Sequence, residues 1–377
     1  MGGKALNKVE TRRLNKREFN IISDDIEKKI KNIFKDTLIS TIKSYERKDT
    51  FGDVDILLSK EKIVDFIEKN KVFIGKHQFT NPLLPLIEDL FNSRQQVVAL
   101  NGNSLVSLSF DYRFNKDDNY GYQVDFIFCE QSDFEFNKNY LAYNDLGNLM
   151  GKTAPLLGFK LTHNGLWYYM KDGEDEFARI MVTNNFKETI NFLGFNFSEY
   201  NKGFKDTDSI FDFIMKGKYF NDNCYYLNNL PAKTRAKELK RGTYMKFLDY
   251  LKNKNIDNYD IEAPLFKEKM LNEAFLLFPE FKINYDRANA YRDKIKKTKD
   301  LLNGHKIKQW TNIEANKISL LLGKVKSQFK DQFEFYDWLD TNTEDNIKKF
   351  VISISEKYTL SENIGIIKFK AEKMILR

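Results

Sequence analysis

The chain has 377 residues, enough for two or three domains, and its 42% hydrophobic and 15% aromatic content is typical of a folded protein. No stretch of about 18 apolar residues occurs, and the start lacks the apolar core of a secretory signal, so neither a membrane span nor secretion is expected. The two cysteines, Cys129 and Cys224, lie far apart in the sequence. This argues against a disulfide framework and indicates a reducing, cytoplasmic compartment.

Positive charge is concentrated late in the chain. The net charge is +7. Residues 226–377 contain 30 Lys and Arg against 21 Asp and Glu, whereas residues 1–225 contain 31 against 33. This distribution favours a near-neutral catalytic part in residues 1–225 and a basic segment in residues 226–377 that contacts a polyanion. The alternative explanation is a Lys-rich surface without a specific partner.

The first part of the chain mixes helical and strand patterns. Apolar spacing predicts a helix over 24–42, and apolar alternation predicts a strand over 51–59. The next predicted elements are helices over 60–69 and 80–94, followed by strands over 96–100, 104–110 and 120–129. Polar turns separate these last three strands, so we expect them to pair in antiparallel fashion.

The second part is predicted to be mostly helical after a small sheet. The predicted elements are a short helix over 146–157, antiparallel strands over 159–162, 167–170 and 177–183, and helices over 185–193, 207–215, 232–251, 262–278, 285–302, 307–329 and 344–357. The expected fold class is α+β, with a mixed or antiparallel sheet, a small α/β region and an all-helical C-terminal domain.

The segment 44–58 carries the strongest chemical signal. It reads Ser-Tyr-Glu-Arg-Lys-Asp-Thr-Phe-Gly-Asp-Val-Asp-Ile-Leu-Leu, a polar turn that runs into a strand. Side chains alternate along a strand, so Asp53 and Asp55 face the same way, while the apolar residues between and after them face a core. Two adjacent carboxylates repel each other unless a cation lies between them, and Mg²⁺ prefers such oxygen ligands.

A third carboxylate, Asp125, interrupts the apolar strand over 120–129. A lone buried carboxylate costs several kcal/mol, so we expect Asp125 to join the first two on a neighbouring strand. Three such groups suit two metal ions that clamp the attacking and leaving oxygens of a phosphoryl displacement, and Asp125 could orient or deprotonate the attacking hydroxyl. In the preceding turn, the Ser44 hydroxyl, the Arg47 guanidinium and the exposed backbone at Gly52 are suited to phosphate.

These residues form a pattern known from other enzymes. Ser-Tyr-x-Arg, a short spacer and Gly-Asp-Val-Asp-Ile-Leu-Leu together resemble the active-site signature of the DNA polymerase beta-like (family X) nucleotidyltransferases. Three later segments resemble further elements of the family, in the same order. Residues 144–166 resemble its nucleotide-contacting helix and the segment after it. Residues 191–195 resemble its hydrophobic-Leu-Gly element, and residues 206–214 resemble the acidic helix near the end of the thumb. The likeness covers about 25–220.

The resemblance implies a domain plan and a set of site residues. The domains would be a nucleotidyltransferase palm at 1–140, a thumb-like domain that contacts nucleotide at 141–225, and a basic helical domain at 226–377. Two Mg²⁺ ions, with Mn²⁺ as an alternative, would be bound by Asp53, Asp55 and Asp125. The triphosphate would be held by Ser44, Arg47 and Gly52. The sugar and base would be bordered by Tyr143, Asn144, Gly147 and Asn148, for which simple helix packing is the alternative.

The chain departs from the family pattern at several points. Lys43 stands where the family has Gly before the Ser, and the spacer is one residue shorter. Gly151, beside Lys152, stands where the family has an Arg that touches template. No room for the lyase domain of repair polymerases is expected before residue 25. These departures argue against template-directed DNA synthesis and leave nucleotidyl transfer intact.

Two basic helices and the N-terminus are further candidate contacts. The predicted basic clusters are Lys233, Arg235, Lys237, Lys240 and Arg241 on one helix and Arg292, Lys294, Lys296, Lys297 and Lys299 on another. Tyr285, Tyr291 and Trp310 could stack on bases, and Gly2-Gly3-Lys4 could contact phosphate. The alternatives are solvated helix faces, aromatic side chains in a core and a flexible terminus.

The sequence therefore predicts an enzyme that transfers a nucleoside monophosphate from an NTP or dNTP to a hydroxyl. The expected acceptor is an RNA or DNA 3′ end held by the basic C-terminal helices. The alternatives are transfer to a protein or small molecule, template-directed DNA synthesis, and a catalytically inactive fold that acts as a binding module.

Overall fold

The computed structural model describes residues 5–70, 72–73, 79–101, 104–254, 256, 258–259, 263–357 and 374–377. The predicted phosphate contact of Gly2-Gly3-Lys4 lies outside these residues. The chain divides into two compact units, Met1–Trp167 with Thr183–Asn272 and Tyr168–Val182 with Glu273–Arg377. The three-domain plan stays a prediction. Across the described ranges, no helix combines the length and the apolar composition that a membrane crossing requires.

The first unit has an α+β architecture. Its elements up to the end of the main sheet are β1 (Leu14–Asn15), α1 (Lys16–Ile33), β2 (Ile39–Thr41), β3 (Thr50–Phe51), β4 (Val54–Ser59), α2 (Glu61–Lys69), β5 (Val72–Phe73), β6 (Phe79–Thr80), α3 (Leu83–Phe91), β7 (Gln96–Asn101), β8 (Ser104–Tyr112) and β9 (Tyr122–Cys129). Those that follow are α4 (Phe134–Leu141), α5 (Leu146–Met150), β10 (Lys160–Thr162), the start of β11 (Gly165–Asp172), α6 (Phe186–Phe192), α7 (Phe197–Lys202), α8 (Thr207–Met215), α9 (Ala232–Glu238), α10 (Gly242–Leu251) and most of α11 (Ala263–Leu277).

A five-stranded mixed sheet organises this unit. Its strand order is β2-β4-β9-β8-β7. The two central strands β4 and β9 are parallel, with Asp55 opposite Asp125, whereas the outer pairs are antiparallel. The antiparallel pairing expected for the last three strands is therefore confirmed. A parallel pair at the centre brings the same ends of both strands together.

Alternation along the central strands separates a core face from a polar face. Val54, Ile56 and Leu58 are fully buried in the main core, as the sequence predicts, and they pack with one face of α1 and with α2 and α3. Asp55 and Leu57 alternate with them and face the other side of the sheet. Leu57 there joins a smaller apolar cluster with Ile42, Cys129 and Phe134.

The predicted helix over 24–42 is wrong at both ends. The helix α1 begins earlier because Asn15 and Glu18 form a capping box, in which each side chain accepts the other residue's backbone N–H. The helix ends at Ile33, and the chain then forms β2, whose Ile39 lies opposite Leu58 of β4. The apolar residues of 38–42 therefore belong to a sheet edge rather than to the last turns of the helix.

The second unit is largely helical. Its elements are the rest of β11, β12 (Asp175–Thr183, of which Thr183 belongs to the first unit), the end of α11, α12 (Pro279–Lys299), α13 (Gly304–Thr311), α14 (Ala315–Lys326), α15 (Gln332–Thr341), α16 (Glu344–Lys357) and β13 (Met374–Leu376). The helices α13 to α16 enclose their own apolar core.

The prediction of an all-helical C-terminal domain is wrong at the end of the chain. The last strand, β13, pairs in parallel with β12, and Ala178 lies opposite Met374. The apolar run Met-Ile-Leu can bury one face and complete its backbone hydrogen bonds by pairing with the edge of β12. A strand of three residues leaves too little alternation to be recognised from sequence.

Candidate active site

Three carboxylates meet on the polar face of the main sheet. Asp53 lies immediately before β4, Asp55 lies within it, and Asp125 lies opposite Asp55 on β9. One carboxylate oxygen from each of the three lies within 4.8 Å of the others. The pairing register of the two central strands creates this cluster, since a shift by one residue would turn one carboxylate into the core.

The cluster is electrostatically strained without a cation. Burial, and after it the neighbouring carboxylates of Asp53 and Asp125, raise the pKa of Asp55 to about 7, against a smaller opposite effect of Lys48. Burial also raises the pKa of Asp125, which hydrogen bonds from Ser109 and Gln123 partly offset. A group of oxygen ligands whose charged form is disfavoured in this way is suited to a divalent cation that would compensate the charge.

A cavity of about 550 Å³ in the first unit opens next to these carboxylates. Its charged lining consists of Arg13, Lys43, Lys48, Arg241 and Lys246 against Asp53, Asp55 and Asp145. Its uncharged polar lining residues are Ser44, Tyr45, Asn144, Thr207 and Thr243, and Gly52 and Gly242 also line it. The cavity is thus bounded by the turn before β4 on one side and by the starts of α8 and α10 on another.

Ser44 offers an unused hydroxyl to the cavity. Its Oγ is buried and has no hydrogen-bond partner among the described residues. A buried hydroxyl without a partner costs about 1–3 kcal/mol, so such a group in a cavity wall is a candidate ligand contact. Gly52 lies in the same wall, one residue before Asp53. The structure therefore brings Ser44 and Gly52 together with Asp53 and Asp55 in one cavity lining.

Arg47 does not join this group. Within the described residues it is absent from the cavity lining, and its guanidinium lies 3.6 Å from the carboxylate of Asp206 with 69% of the side chain exposed. Its backbone N–H donates to the carbonyl of Lys205 at 2.8 Å. The adjacent Lys48 points inward instead, and its Nζ donates to Asn144 Oδ1 at 3.2 Å.

Lys48 is a functional candidate that the sequence reasoning missed. It is half-buried in the cavity wall, where burial lowers its pKa while Asp53 and Asp55 raise it. Its ammonium also lies 4.7 Å from the centre of the Phe51 ring. A cation held between carboxylates and an aromatic ring is placed to balance charge as ligands enter or leave.

The predicted sugar and base contacts separate into two groups. Asn144 lines the cavity, whereas Tyr143 is buried against the rings of Tyr200 and Phe204, at centroid distances of 5.6 and 4.9 Å. Tyr143 and Asn144 both have positive φ, and the Tyr143 N–H donates to the carbonyl of Lys43 at 2.8 Å. This strained turn directs the Asn144 side chain to the cavity and fixes it to the segment before Ser44.

Gly147 and Asn148 have packing roles in the described structure. A Cβ at Gly147 would collide with the backbone oxygen of Tyr140, so glycine permits the close approach of α5 to α4. Asn148 Nδ2 donates to the buried Glu238 at 3.0 Å, and Lys152 pairs with the same carboxylate at 2.6 Å. The packing alternative accounts for both positions, which are not among the described residues that line the cavity.

Arg241 connects this packed region to the cavity. The sequence places Arg241 in a basic cluster. In the structure its guanidinium lies between the carboxylates of Asp145 and Glu238, and its Nε is 3.5 Å from the Glu238 carboxylate. Arg241 immediately precedes α10, whose first residues Gly242 and Thr243 line the cavity. This wall is more than 80 residues distant in sequence from the carboxylates, and no local pattern predicts its position.

The basic residues of α12 are mostly engaged within the second unit. Lys294, Lys296 and Lys297 lie 2.8, 3.1 and 3.2 Å from Asp337, Asp172 and Asp340, respectively. The aromatic candidates are also packed: Tyr291 contacts Phe333, Tyr285 contacts Phe275, and Trp310 packs against the helical core. These contacts favour the alternative of a solvated helix face with aromatic side chains in a core.

No protein-family model matches this chain, and the curated proteins contain no significant match to it.

Proposed function

We propose that this chain is a metal-dependent nucleotidyltransferase of the DNA polymerase beta-like kind. It transfers a nucleoside monophosphate from an NTP or dNTP to a hydroxyl acceptor, for which a nucleic acid 3′ end is the first candidate. The observation that carries the proposal is the cluster of Asp53, Asp55 and Asp125 on two paired strands beside a cavity. The palm and thumb assignments of the fold belong to the same proposal.

The donor set fits the implied cation. The cluster offers only carboxylate oxygens within 4.8 Å of one another, which are hard ligands of the kind that Mg²⁺ prefers. The pKa of Asp55 is raised by burial and then by Asp53 and Asp125, so its charged form is disfavoured and a bound cation would stabilise it. Asp53, Asp55 and Asp125 would hold two Mg²⁺ ions, which supply charge neutralisation for the phosphates and activation of the attacking hydroxyl.

The other residues of the cavity supply binding and orientation. The Ser44 Oγ donates its free hydrogen to a phosphate oxygen, and the backbone at Gly52 leaves room for that phosphate. The Lys48 ammonium balances the charge of the leaving pyrophosphate. Asp125, the ligand of the second strand, orients the attacking hydroxyl and accepts its proton at a carboxylate oxygen.

The size and charge of the cavity support a nucleotide substrate. About 550 Å³ lies in the range of small-molecule sites and accommodates a nucleotide. The charged side chains of the described lining are five basic and three acidic residues. Adding divalent cations to this lining makes the cavity strongly positive, which complements a triphosphate together with an acceptor phosphate.

A second candidate has the same chemistry with a protein or small molecule as the acceptor. The ion pairs of Lys294, Lys296 and Lys297 favour it, because they reduce the positive charge that α12 presents to a nucleic acid. A salt titration of acceptor binding separates the two candidates. Nucleic acid binding weakens steeply as salt rises, and binding of a neutral acceptor does not.

The proposal is tested by incubating the protein with Mg²⁺, each labelled NTP and dNTP, and a panel of RNA, DNA, protein and small-molecule acceptors. We expect covalent label on one acceptor class, loss of transfer in Asp53→Asn and unchanged transfer in Asp65→Asn, an exposed carboxylate on α2. Nucleotide binding without transfer to any acceptor would favour an inactive binding module. Full activity of Asp53→Asn would refute the mechanism.

A further inference from the structure

We infer that the N-terminal segment, residues 5–15, is a working part of the metal site. Through the Ala5 backbone and the Gln123 side chain, it holds Asp125 in the orientation that directs its remaining lone pairs to Asp53 and Asp55. The inference rests on the proposed function, because it concerns the carboxylates assigned there as metal ligands. Gln123 is a positioning residue, since it acts on Asp125 rather than on substrate.

The Gln123 side-chain amide donates hydrogen bonds to both carboxylate oxygens of Asp125. Its Nε2 lies 3.0 Å from Asp125 Oδ1 and 3.0 Å from Oδ2. The two residues are two positions apart on β9, so their side chains leave the same face of the sheet. Gln123 is 1% exposed, which prevents water from replacing this contact. Ser109 is also hydrogen-bonded to Asp125, so two side chains fix a carboxylate that has an oxygen within 4.8 Å of oxygens of Asp53 and Asp55.

The orientation of the Gln123 amide depends on the N-terminal segment. An amide has a donor end and an acceptor end, and turning it over would place its oxygen against the Asp125 carboxylate. The Ala5 N–H donates to Gln123 Oε1 at 3.0 Å and so holds the acceptor end away from Asp125. One backbone hydrogen bond therefore keeps the donor end on the metal ligand.

The segment is anchored at several other points. The N–H groups of Asn7 and Lys8 donate to Gln95 Oε1 at 3.1 and 2.8 Å. Farther along, backbone hydrogen bonds run from Arg12 N–H to the Gly121 carbonyl and from Gly121 N–H to the Glu10 carbonyl, at 3.0 and 2.9 Å. Loss of the Ala5 contact alone should therefore leave the rest of the segment docked, which makes a specific test feasible.

The test is Mn²⁺ binding to the full chain, measured by electron paramagnetic resonance in the absence of nucleotide. Gln123→Met nearly keeps the side-chain volume and removes the amide donor. Ala5→Pro removes the backbone N–H that orients the Gln123 amide, and it also fixes the backbone φ at this position. Ala5→Ser is the matched control, because it keeps that N–H. We expect roughly tenfold or more weaker Mn²⁺ binding in Gln123→Met and Ala5→Pro, a loss typical of removing a partner of a metal ligand, and unchanged binding in Ala5→Ser.

The outcomes separate this inference from the proposed function. Wild-type Mn²⁺ affinity in Gln123→Met and Ala5→Pro, with binding lost in Asp55→Asn, would overturn the inference and leave the metal site in place. Weakened binding in Gln123→Met alone would overturn the role of the N-terminal segment. No binding of Mn²⁺ to the wild-type protein would refute both the metal site and the inference. If Gln123→Met does not fold, Ala5→Pro against Ala5→Ser decides.

Discussion

The substitution Asp55→Asn should stabilise the metal-free protein at alkaline pH. Asp55 faces Asp125 across the central strand pair, and its pKa is raised from 3.8 to about 7, first by burial and then by the other two carboxylates. Asn has nearly the same shape and cannot ionise. It therefore removes one of three negative charges that lie together without a cation.

The sign and size follow from the raised pKa. The folded state holds the Asp55 proton more tightly than the unfolded state does, so wild-type stability falls as the pH rises from about 4 to above 7. A shift of about three pKa units corresponds to at most about 4 kcal/mol above pH 8. Between pH 5 and pH 8 the unfolding free energy of the wild type should fall by about 2–3 kcal/mol from this cause, and that of Asp55→Asn should not.

The assay is urea unfolding in EDTA at pH 5 and at pH 8. The difference in unfolding free energy between Asp55→Asn and the wild type should increase by about 2–3 kcal/mol from the lower to the higher pH. Asp65→Asn serves as the control and should show no such increase. Saturating Mg²⁺ at pH 8 should stabilise the wild type and not the variant. A pH-independent difference would refute the electrostatic reasoning.

Three further predictions concern other residues of the site. Ser44→Ala should raise the KM for the nucleoside triphosphate about tenfold without loss of thermal stability, because the removed hydroxyl has no partner in the described protein; an unchanged KM in steady-state assays would exclude the phosphate role. Lys48→Met should lower kcat/KM by at least about tenfold and should tighten Mg²⁺ binding in calorimetry, because it removes a cation that competes near Asp55; weaker Mg²⁺ binding would contradict this. Glu238→Gln should destabilise the first unit by about 1–3 kcal/mol in chemical unfolding, because the Lys152 ammonium keeps an oxygen acceptor but loses its charged partner; a neutral effect would show that this pair is replaceable.

Much of the candidate site follows from strand periodicity alone. Asp53 and Asp55 could be assigned to one face because side chains alternate, and Asp125 stood out because it interrupts an apolar strand. The same rule would have identified Gln123, two positions before Asp125, as its neighbour on that face. The pattern does not reveal that the amide contacts the carboxylate, since this depends on a backbone N–H more than 100 residues away.

Other features depend on tertiary structure and are not visible in the sequence. Arg47 and Lys48 are adjacent cations in one turn, and only the folded backbone decides that Lys48 points into the cavity while Arg47 turns to Asp206. The wall formed by the start of α10 comes from a distant part of the chain. The start of α1 is different, because its capping box at Asn15 is a local signal that apolar spacing alone overlooks.

The most direct test of nucleotidyl transfer compares ATP labelled on the α-phosphate with ATP labelled on the γ-phosphate. Both are incubated with Mg²⁺ and the acceptor that becomes labelled in the acceptor panel. We expect the acceptor to gain α-label and no γ-label, pyrophosphate to be released in equal amount, and Asp55→Asn to abolish the transfer. Transfer of γ-label, or transfer of α-label that survives Asp55→Asn, would contradict this expectation.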